Sequence, residues 1–362
     1  MIENVTIVGM GALGILYGDL MERTLGPGHV RFIAEGERLT RLQQEGAWCN
    51  GRKCDFTVTD NTGEEAELLL FAVKMTALDE AMELAAPLVG EDTVILSLLN
   101  GVTSEEHIGQ TFGPGKILYC VAQGMDAVRE DNRLTYTQAG KLYLGLPEED
   151  YFDRGEKLDA VLEFLQRAGV PAEREPGEIL HHIWGKFMLN VGVNQVCMAY
   201  GCTYGQIQKP GEARDTMIAA MHEARKVGAC QGVLVTQKDL YDYLALLDTM
   251  SPDAMPSMAQ DALAHRPSEV EAFAGTVLEL AKFYGMQAPV NQKLYDTIRE
   301  TEANWAENLV NVDNFSGGRN RSGRDLKKIR KSAKKVIDRP LGKCYLWNKE
   351  GTDPNGYVTV RL

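Results

Sequence analysis

A lysine and two asparagines recur at four-residue intervals in the apolar stretch 179–200. At this spacing Lys186, Asn190 and Asn194 share one face of a helix. Amphipathic helices usually place polar groups toward water, so a lysine and two amides among apolar neighbours indicate a polar stripe that faces a cleft. The stripe either lines a cleft or simply faces solvent, and the residues themselves favour neither.

Two glycines interrupt the same stretch. Gly185 and Gly192 each cost a helix roughly 1 kcal/mol relative to alanine, which indicates close approach by another backbone or by a ligand. The adjacent His181 and His182 are predicted to be helix-surface residues, not metal ligands.

A second polar block lies further along the chain. It begins at Ser257, and Pro267 is expected to end a helix at the residue before it. Ser268 and Glu271 have the spacing of a capping box, so Glu269 falls in the first turn of the next helix. The ordinary role of such a carboxylate is to complement the helix dipole.

The glycine-rich segment Gly9-Met10-Gly11-Ala12-Leu13-Gly14 follows the apolar run 5–8 and precedes a helical pattern. This order of strand, loop and helix is typical of a dinucleotide-binding turn. Gly9 permits the tight turn, Gly11 lets the backbone approach the pyrophosphate, and Gly14 lets the helix pack on the strand. The helix N-terminus then attracts the phosphates.

The elements that must position these residues fall into two groups. Strand-like and helix-like stretches alternate up to about residue 175, which predicts an α/β fold with a Rossmann-type, doubly wound parallel sheet. An all-α second domain follows, and the substrate is expected between the two. The predicted domains are 1–175 for the cofactor, 176–308 for substrate and catalysis, and a basic extension, 309–362. The strand-like runs are 30–34, 68–73, 94–99, 117–122 and 142–146, and the later helical stretches are 179–200, 211–231, 238–247, 268–284 and 291–308.

Composition limits the possible functions. The chain has 362 residues and a formal net charge of −13, which argues against general nucleic-acid binding. No stretch has the length and hydropathy of a membrane span, and the start lacks a secretory pattern. The seven cysteines are scattered, which predicts free thiols, a cytoplasmic location and no metal site.

One segment departs from this acidic character, because residues 319–339 contain ten basic and only two acidic side chains. The segment is either a solvated basic tail, a partner-binding arm or a brace across a dimer. Beyond it, 344–347 and 357–360 are predicted to pair as a hairpin.

Taken in order, these motifs resemble the ketopantoate reductase (2-dehydropantoate 2-reductase) family over roughly residues 1–305. The resemblance rests on the glycine loop, on Val73-Lys74 and Asn100-Gly101 after two strands, on the Lys186–Asn190–Asn194 spacing, and on the block from Ser257-Met258-x-Gln260-Asp261 to Ser268-Glu269.

The resemblance implies a role for each of these positions. Lys186 would be the general acid, and Glu269 would bind a substrate hydroxyl and orient the lysine. Asn190, Asn194 and Ser257 would hold substrate oxygens. The cofactor-binding residues would be Gly9, Gly11, Ala12, Leu13, Gly14, Glu35, Arg38, Lys74 and Asn100, and no metal is needed.

The residue after the second strand departs from the family pattern. The family usually has an arginine there to hold the 2′-phosphate of NADPH, whereas this chain has Glu35. A carboxylate there binds the ribose hydroxyls of NADH and repels a 2′-phosphate, although Arg38 can restore phosphate binding. The family implies NADPH, while the charge favours NADH.

The implied reaction is NAD(P)H-dependent reduction of a small 2-oxo acid, with ketopantoate as the leading substrate and a homodimer as a possible assembly. Another 2-oxo acid is the first alternative. The second is a non-catalytic nicotinamide-nucleotide sensor, which would have no evident use for Lys186 and Glu269.

Overall fold

A computed structural model of the chain describes residues 2–315, with backbone alone described for 306–315. Predictions for the basic segment 319–339 and for the hairpin beyond it lie outside the described residues. The chain divides into two compact units, the first ending at Trp184 and the second beginning at Gly185.

The first unit is built on a mostly parallel eight-stranded sheet, as predicted. Its order is β12-β11-β8-β7-β6-β1-β2-β5, with β11 antiparallel to β8, and a smaller sheet has the order β4-β3-β10-β9. The strands are β1 Val5–Val8, β2 Val30–Ile33, β3 Trp48–Cys49, β4 Arg52–Lys53, β5 Thr57–Thr59, β6 Leu68–Phe71, β7 Val94–Ser97, β8 Ile117–Met125, β9 Val128–Glu130, β10 Arg133–Thr135, β11 Ala139–Gly145 and β12 Ala172–Arg174. The helices are α1 Ala12–Leu25, α2 Gly36–Glu45, α3 Leu78–Ala85, α4 Ser104–Phe112 and α5 Tyr151–Arg167.

The central strands of this sheet are buried on both faces. Every residue of β1, β6 and β7 is buried, because continuous apolar runs suit a parallel sheet that is covered on both sides. Along β6, Leu68 and Leu70 join one hydrophobic cluster while Leu69 and Phe71 join another. The alternation shows that the sheet separates two apolar layers.

The described part of the second unit is helical, again as predicted. Its helices are α6 Ile179–Tyr200, which begins in the first unit, α7 Tyr204–Ile207, α8 Glu212–Cys230, α9 Gln237–Asp248, α10 Ser257–Leu263, α11 Thr276–Phe283 and α12 Pro289–Phe315. The helix predicted for 268–284 begins at Glu271 with a π-turn, Glu271–Gly275, which continues without a break into α11. In the described part of the chain, no helix has the length and apolar character needed to cross a membrane.

The two glycines of α6 lie where other helices approach. A Cβ on Gly192 would lie 2.5 Å from Met221 Cγ and 3.0 Å from the Met217 carbonyl oxygen, both on α8. A Cβ on Gly185 would lie 2.7 Å from the Tyr243 hydroxyl on α9. Helix packing therefore explains both glycines without a ligand.

We expect Gly192→Ala to destabilise the protein by about 1–3 kcal/mol, because α8 must move to accommodate the methyl group. Gly155→Ala is the matched control, since a Cβ at this α5 position meets nothing within 4 Å. That variant should gain up to about 1 kcal/mol through helix propensity. Urea unfolding measures both, and equal stabilities would contradict the packing argument.

Candidate active site

Four of the predicted cofactor-binding positions follow neighbouring parallel strands. Gly9 comes after β1, Glu35 after β2, Lys74 after β6 and Asn100 after β7. These strands are adjacent in the order β7-β6-β1-β2, so the four residues lie at one edge of the sheet. The carboxyl edge of an open parallel sheet is where nucleotides bind.

The glycine turn between β1 and α1 has the conformation that a dinucleotide site needs. Gly9 has a φ of +108°, and a Cβ there would lie 2.7 Å from the carbonyl of Ala72. A Cβ on Gly14 would collide with the carbonyl oxygen of Gly9, while Gly11 is the N-cap of α1. The glycines therefore leave a close-packed turn in which backbone groups are accessible, and this turn ends at the N-terminus of α1. Ala12 and Leu13 are the first residues of that helix. These residues fit a bound pyrophosphate.

Glu35 and Arg38 are exposed at the start of α2. Glu35 is the N-cap residue of this helix, and its backbone carbonyl accepts a hydrogen bond from Leu39 N at 3.1 Å. Both side chains are available to a ribose or phosphate at this edge of the sheet.

Three of the predicted substrate-binding residues form one hydrogen-bonded chain in the second unit. Asn194 Oδ1 accepts from Ser257 Oγ at 3.0 Å and from Met258 N at 3.2 Å. Asn194 Nδ2 donates to Asn190 Oδ1 at 3.2 Å. Asn194 is only 6% exposed, so the stripe on α6 does not simply face solvent. Lys186 lies one turn before Asn190 on the same helix.

Glu269 is 6% exposed and lies just before the π-turn, not in a regular first helical turn. The predicted capping box is wrong, since Ser268 N donates to Glu302 Oε1 of α12 at 2.7 Å. Glu271 instead accepts from the Tyr295 hydroxyl at 2.7 Å. Tertiary contacts with α12 therefore replace the local cap and fix the segment that carries Glu269.

This segment packs against the helix that carries Lys186. The rings of Phe187 on α6 and Phe273 in the π-turn have centroids 6.4 Å apart. Phe273 N also donates to the carbonyl oxygen of Glu269 at 3.1 Å. Lys186 precedes Phe187 in the chain, and Glu269 is linked to Phe273 by a backbone hydrogen bond.

The prediction that His182 is a surface residue is wrong. The ring is half-buried, with Nδ1 2.5 Å from Glu175 Oε2 and Nε2 2.6 Å from Gln123 Oε1. It also packs on the Tyr143 ring at a centroid distance of 4.9 Å. Within residues 2–315, no group of three or more His, Cys, Asp or Glu side chains is arranged to hold a metal ion.

Glu106, in the first turn of α4, is a titratable residue that the sequence did not single out. Burial raises the pKa of this carboxyl to about 7. A first-turn glutamate is usual in helices, so nothing in the local sequence distinguishes it from an exposed one.

The fold and the glycine turn are those of a dinucleotide-binding protein, to which a helical second unit is joined. Two family models match, one described as "Ketopantoate reductase PanE/ApbA" over residues 5–149 and the other as "Ketopantoate reductase PanE/ApbA C terminal" over 178–302. The chain belongs to the ketopantoate reductase family, whose members are NAD(P)H-dependent oxidoreductases acting on CH–OH groups.

Individual relatives agree with this assignment. A 2-dehydropantoate 2-reductase from Vibrio cholerae is 23% identical over 305 residues, covering 84% of this chain and 99% of the relative. The structure of 2-dehydropantoate 2-reductase from Geobacter metallireducens is similar with a TM-score of 0.71 at 25% identity, covering 82% of this chain and 99% of that one.

Two further solved structures share the fold. D-mandelate dehydrogenase with NADH and anilino(oxo)acetate has a TM-score of 0.72 at 21% identity, covering 83% of this chain and 99% of that one. A dimeric ketopantoate reductase from Staphylococcus aureus has a TM-score of 0.69 at 19% identity, with the same coverage of 83% and 99%.

The raised pKa of Glu106 predicts a pH-dependent stability. The folded state holds this proton more tightly than the unfolded state, whose glutamate titrates near 4.5, so stability falls as pH rises from about 4.5 to about 7. Glu106→Gln removes the ionisation, and its melting temperature should rise relative to the wild type between pH 5 and pH 8. Thermal unfolding measures this, with the exposed Glu80→Gln as the charge-loss control. A constant difference between Glu106→Gln and wild type would contradict the prediction.

Proposed function

We propose that the chain reduces a small 2-oxo acid to the 2-hydroxy acid, with 2-dehydropantoate as the substrate and pantoate as the product. The observation that carries this proposal is the hydrogen-bonded chain Asn190–Asn194–Ser257, with Lys186 one helical turn away on α6. It is a row of groups that can hold oxygens next to a proton donor.

Lys186 is the proposed general acid. A lysine ammonium is ordinarily protonated at neutral pH, so it stabilises negative charge developing on the ketone oxygen and then donates a proton to it. When bound, NAD(P)H supplies the hydride that the carbonyl carbon receives. Glu269 is proposed to accept a hydrogen bond from the substrate hydroxyl and to orient Lys186.

Asn190 and Ser257 are proposed to contact the hydroxyl and carboxylate oxygens of the substrate. Asn194 holds both of them, because its Oδ1 accepts from Ser257 and its Nδ2 donates to Asn190. A buried amide with these partners pre-orients the two contacts and so reduces the entropy lost on binding.

For the cofactor, we propose that Gly9, Gly11 and Gly14 with the first residues of α1 hold the pyrophosphate, and that Lys74 and Asn100 lie beside the nicotinamide half. We further propose NADH as the preferred nucleotide, because Glu35 is exposed at the end of β2 and a carboxylate disfavours a 2′-phosphate. Arg38, three residues on, is the group that would favour NADPH.

The domain roles follow the same proposal. Residues 1–175 bind the nucleotide, and 176–308 bind substrate and carry the proton donor. We propose a cytoplasmic homodimer, which is supported by the dimeric relative from Staphylococcus aureus and by the free thiols of the six described cysteines.

A second candidate substrate is a bulkier 2-oxo acid with an aromatic group. The similarity to D-mandelate dehydrogenase favours it, because that structure holds anilino(oxo)acetate on the same fold. The ketone and carboxylate oxygens are common to both substrate types, whereas the hydroxyl belongs to 2-dehydropantoate alone, so among these proposed contacts only those to the hydroxyl discriminate between the two.

NAD(P)H absorbance with purified protein tests the function directly. 2-Dehydropantoate, pyruvate, 2-oxoisovalerate and benzoylformate are compared with NADH and with NADPH. Fastest oxidation of NAD(P)H with 2-dehydropantoate supports the substrate assignment. Benzoylformate represents the aromatic 2-oxo acids, so a faster rate with it favours the second candidate substrate. Cofactor binding without turnover on any of the four overturns the proposed reaction.

We expect Lys186→Ala to lower kcat by about 10²–10⁴-fold, which is the usual contribution of general acid–base assistance. The Kd of NAD(P)H, measured by fluorescence titration, should be nearly unchanged. Lys209→Ala, an exposed lysine of the same unit, is the matched control and should retain full activity. A Lys186→Ala enzyme as active as the control would exclude the assigned role.

We expect Glu35→Arg to shift the preference toward NADPH by removing a repulsive charge and adding a phosphate partner. The ratio of kcat/KM for the two nucleotides is the measurement. Glu45→Arg makes the same charge change at the other end of α2 and should leave that ratio unaltered. A similar ratio in both variants would mean that Glu35 does not face the ribose.

A further inference from the structure

Gln195 is the most deeply buried polar side chain of α6, with 0% exposure, and it is directly adjacent to Asn194. Its Nε2 donates to the Val191 carbonyl at 2.7 Å and to Asn291 Oδ1 at 3.1 Å. Its Oε1 accepts from Ala274 N at 3.1 Å. Burying an amide without hydrogen-bond partners costs folding free energy. The hydrogen bonds of Gln195 therefore hold its partner groups in one position.

The network continues to the start of α12. Asn291 is also 0% exposed and donates from Nδ2 to Glu223 Oε2 at 2.8 Å. The Glu223 carboxylate also accepts from Val290 N at 3.0 Å and from Asn291 N at 2.9 Å. Glu223 thus satisfies the first N–H groups of α12, and this cap anchors Asn291, which in turn anchors Gln195.

At its other end Gln195 bonds the π-turn Glu271–Gly275. The Val270 carbonyl, which would accept from Ala274 N in an α-helix, accepts instead from Gly275 N at 3.0 Å. Gln195 supplies an acceptor to the Ala274 N–H that the wider turn displaces. The side chain therefore stabilises the π-turn in place of a regular helical turn.

The π-turn contacts α6 at two points. At the first point, the ring of Phe187 on α6 packs against Phe273 of the π-turn. At the second, Gln195, eight residues after Phe187 on α6, accepts a hydrogen bond from Ala274 N. The two contacts together fix the register of the π-turn on α6. Glu269 is tied to the turn through its carbonyl, which accepts from Phe273 N. Loss of the Gln195 contact would allow the turn to relax toward α-helical pairing and would displace Glu269.

We propose that Gln195 is a positioning residue that acts through Glu269, holding this carboxylate in register with the proton donor on α6. The inference rests on the proposed function, because it assigns Glu269 a part in the reaction. Gln195 itself does not touch the substrate in this proposal.

A double-mutant cycle tests it. Gln195→Met keeps the volume and removes the hydrogen bonds, and kcat for the best 2-oxo acid should fall by about tenfold or more, as expected for displacement of an active-site group. The Kd of NAD(P)H should not change. In a Glu269→Gln background the same substitution should change kcat by less than about twofold, because the residue through which it acts is already lost.

Val196→Ala, a buried apolar neighbour on α6, controls for lost stability. It should lower the melting temperature without lowering kcat. Should Gln195→Met not fold, Gln195→Asn replaces it, since the amide is kept but is one methylene too short to reach Ala274. The proposal is overturned if Gln195→Met lowers kcat equally in the wild-type and Glu269→Gln backgrounds, or does not lower it at all.

Hydrogen exchange of the peptide spanning the π-turn separates this inference from the proposed function. Faster exchange in Gln195→Met than in Val196→Ala is expected whether or not a substrate is known, and unchanged exchange overturns the inference. Faster exchange with unaltered turnover overturns the positioning role while leaving the reaction in place. A wild-type protein inactive on every oxo acid overturns the reaction, and exchange alone then decides whether Gln195 holds the turn.

Discussion

The second unit depends on one constraint, which is that amides buried on an apolar helix must find partners. Asn194 and Gln195 are consecutive on α6 and both are at most 6% exposed. Asn194 reaches α10 through Ser257, whereas Gln195 reaches the π-turn and α12. Since an unpaired buried amide costs about 1–3 kcal/mol, these bonds select one arrangement of the surrounding helices over looser ones. The hydrogen bonds of Asn194 and Gln195 therefore both orient the polar side chains of the candidate site and fix the packing of the helices around α6.

Most of the fold could be predicted from the sequence because its determinants are local. The runs that became β6 and β7 are continuously apolar, and the turn after β1 carries glycines at positions where side chains would collide with neighbouring backbone. Alternation of strands and helices then leaves few topologies. The antiparallel return of β11 and the small second sheet were not predicted, because strand pairing depends on partners distant in the chain.

The candidate site divides in the same way. The spacing of Lys186, Asn190 and Asn194 predicts a shared helix face, but only the structure shows that Asn194 bonds Ser257, 63 residues away. The predicted capping box failed because Glu302 of α12 outcompetes the local carboxylate for Ser268 N. A π-turn has no sequence signature that hydrophobic periodicity can register, so the link between Gln195 and Ala274 was not predicted.

The exposure of Glu35 has a consequence for how this chain can change over time. The side chain lies outside the hydrophobic core, at the start of a helix with no buried residues. Replacing it should therefore change the free energy of unfolding only slightly. If Glu35 faces the ribose as proposed, selection on this position acts on nucleotide preference and not on stability. In the proposed function, a single surface substitution at Glu35 would change the preferred nucleotide from NADH to NADPH. No other mutation would be needed first to compensate for lost stability.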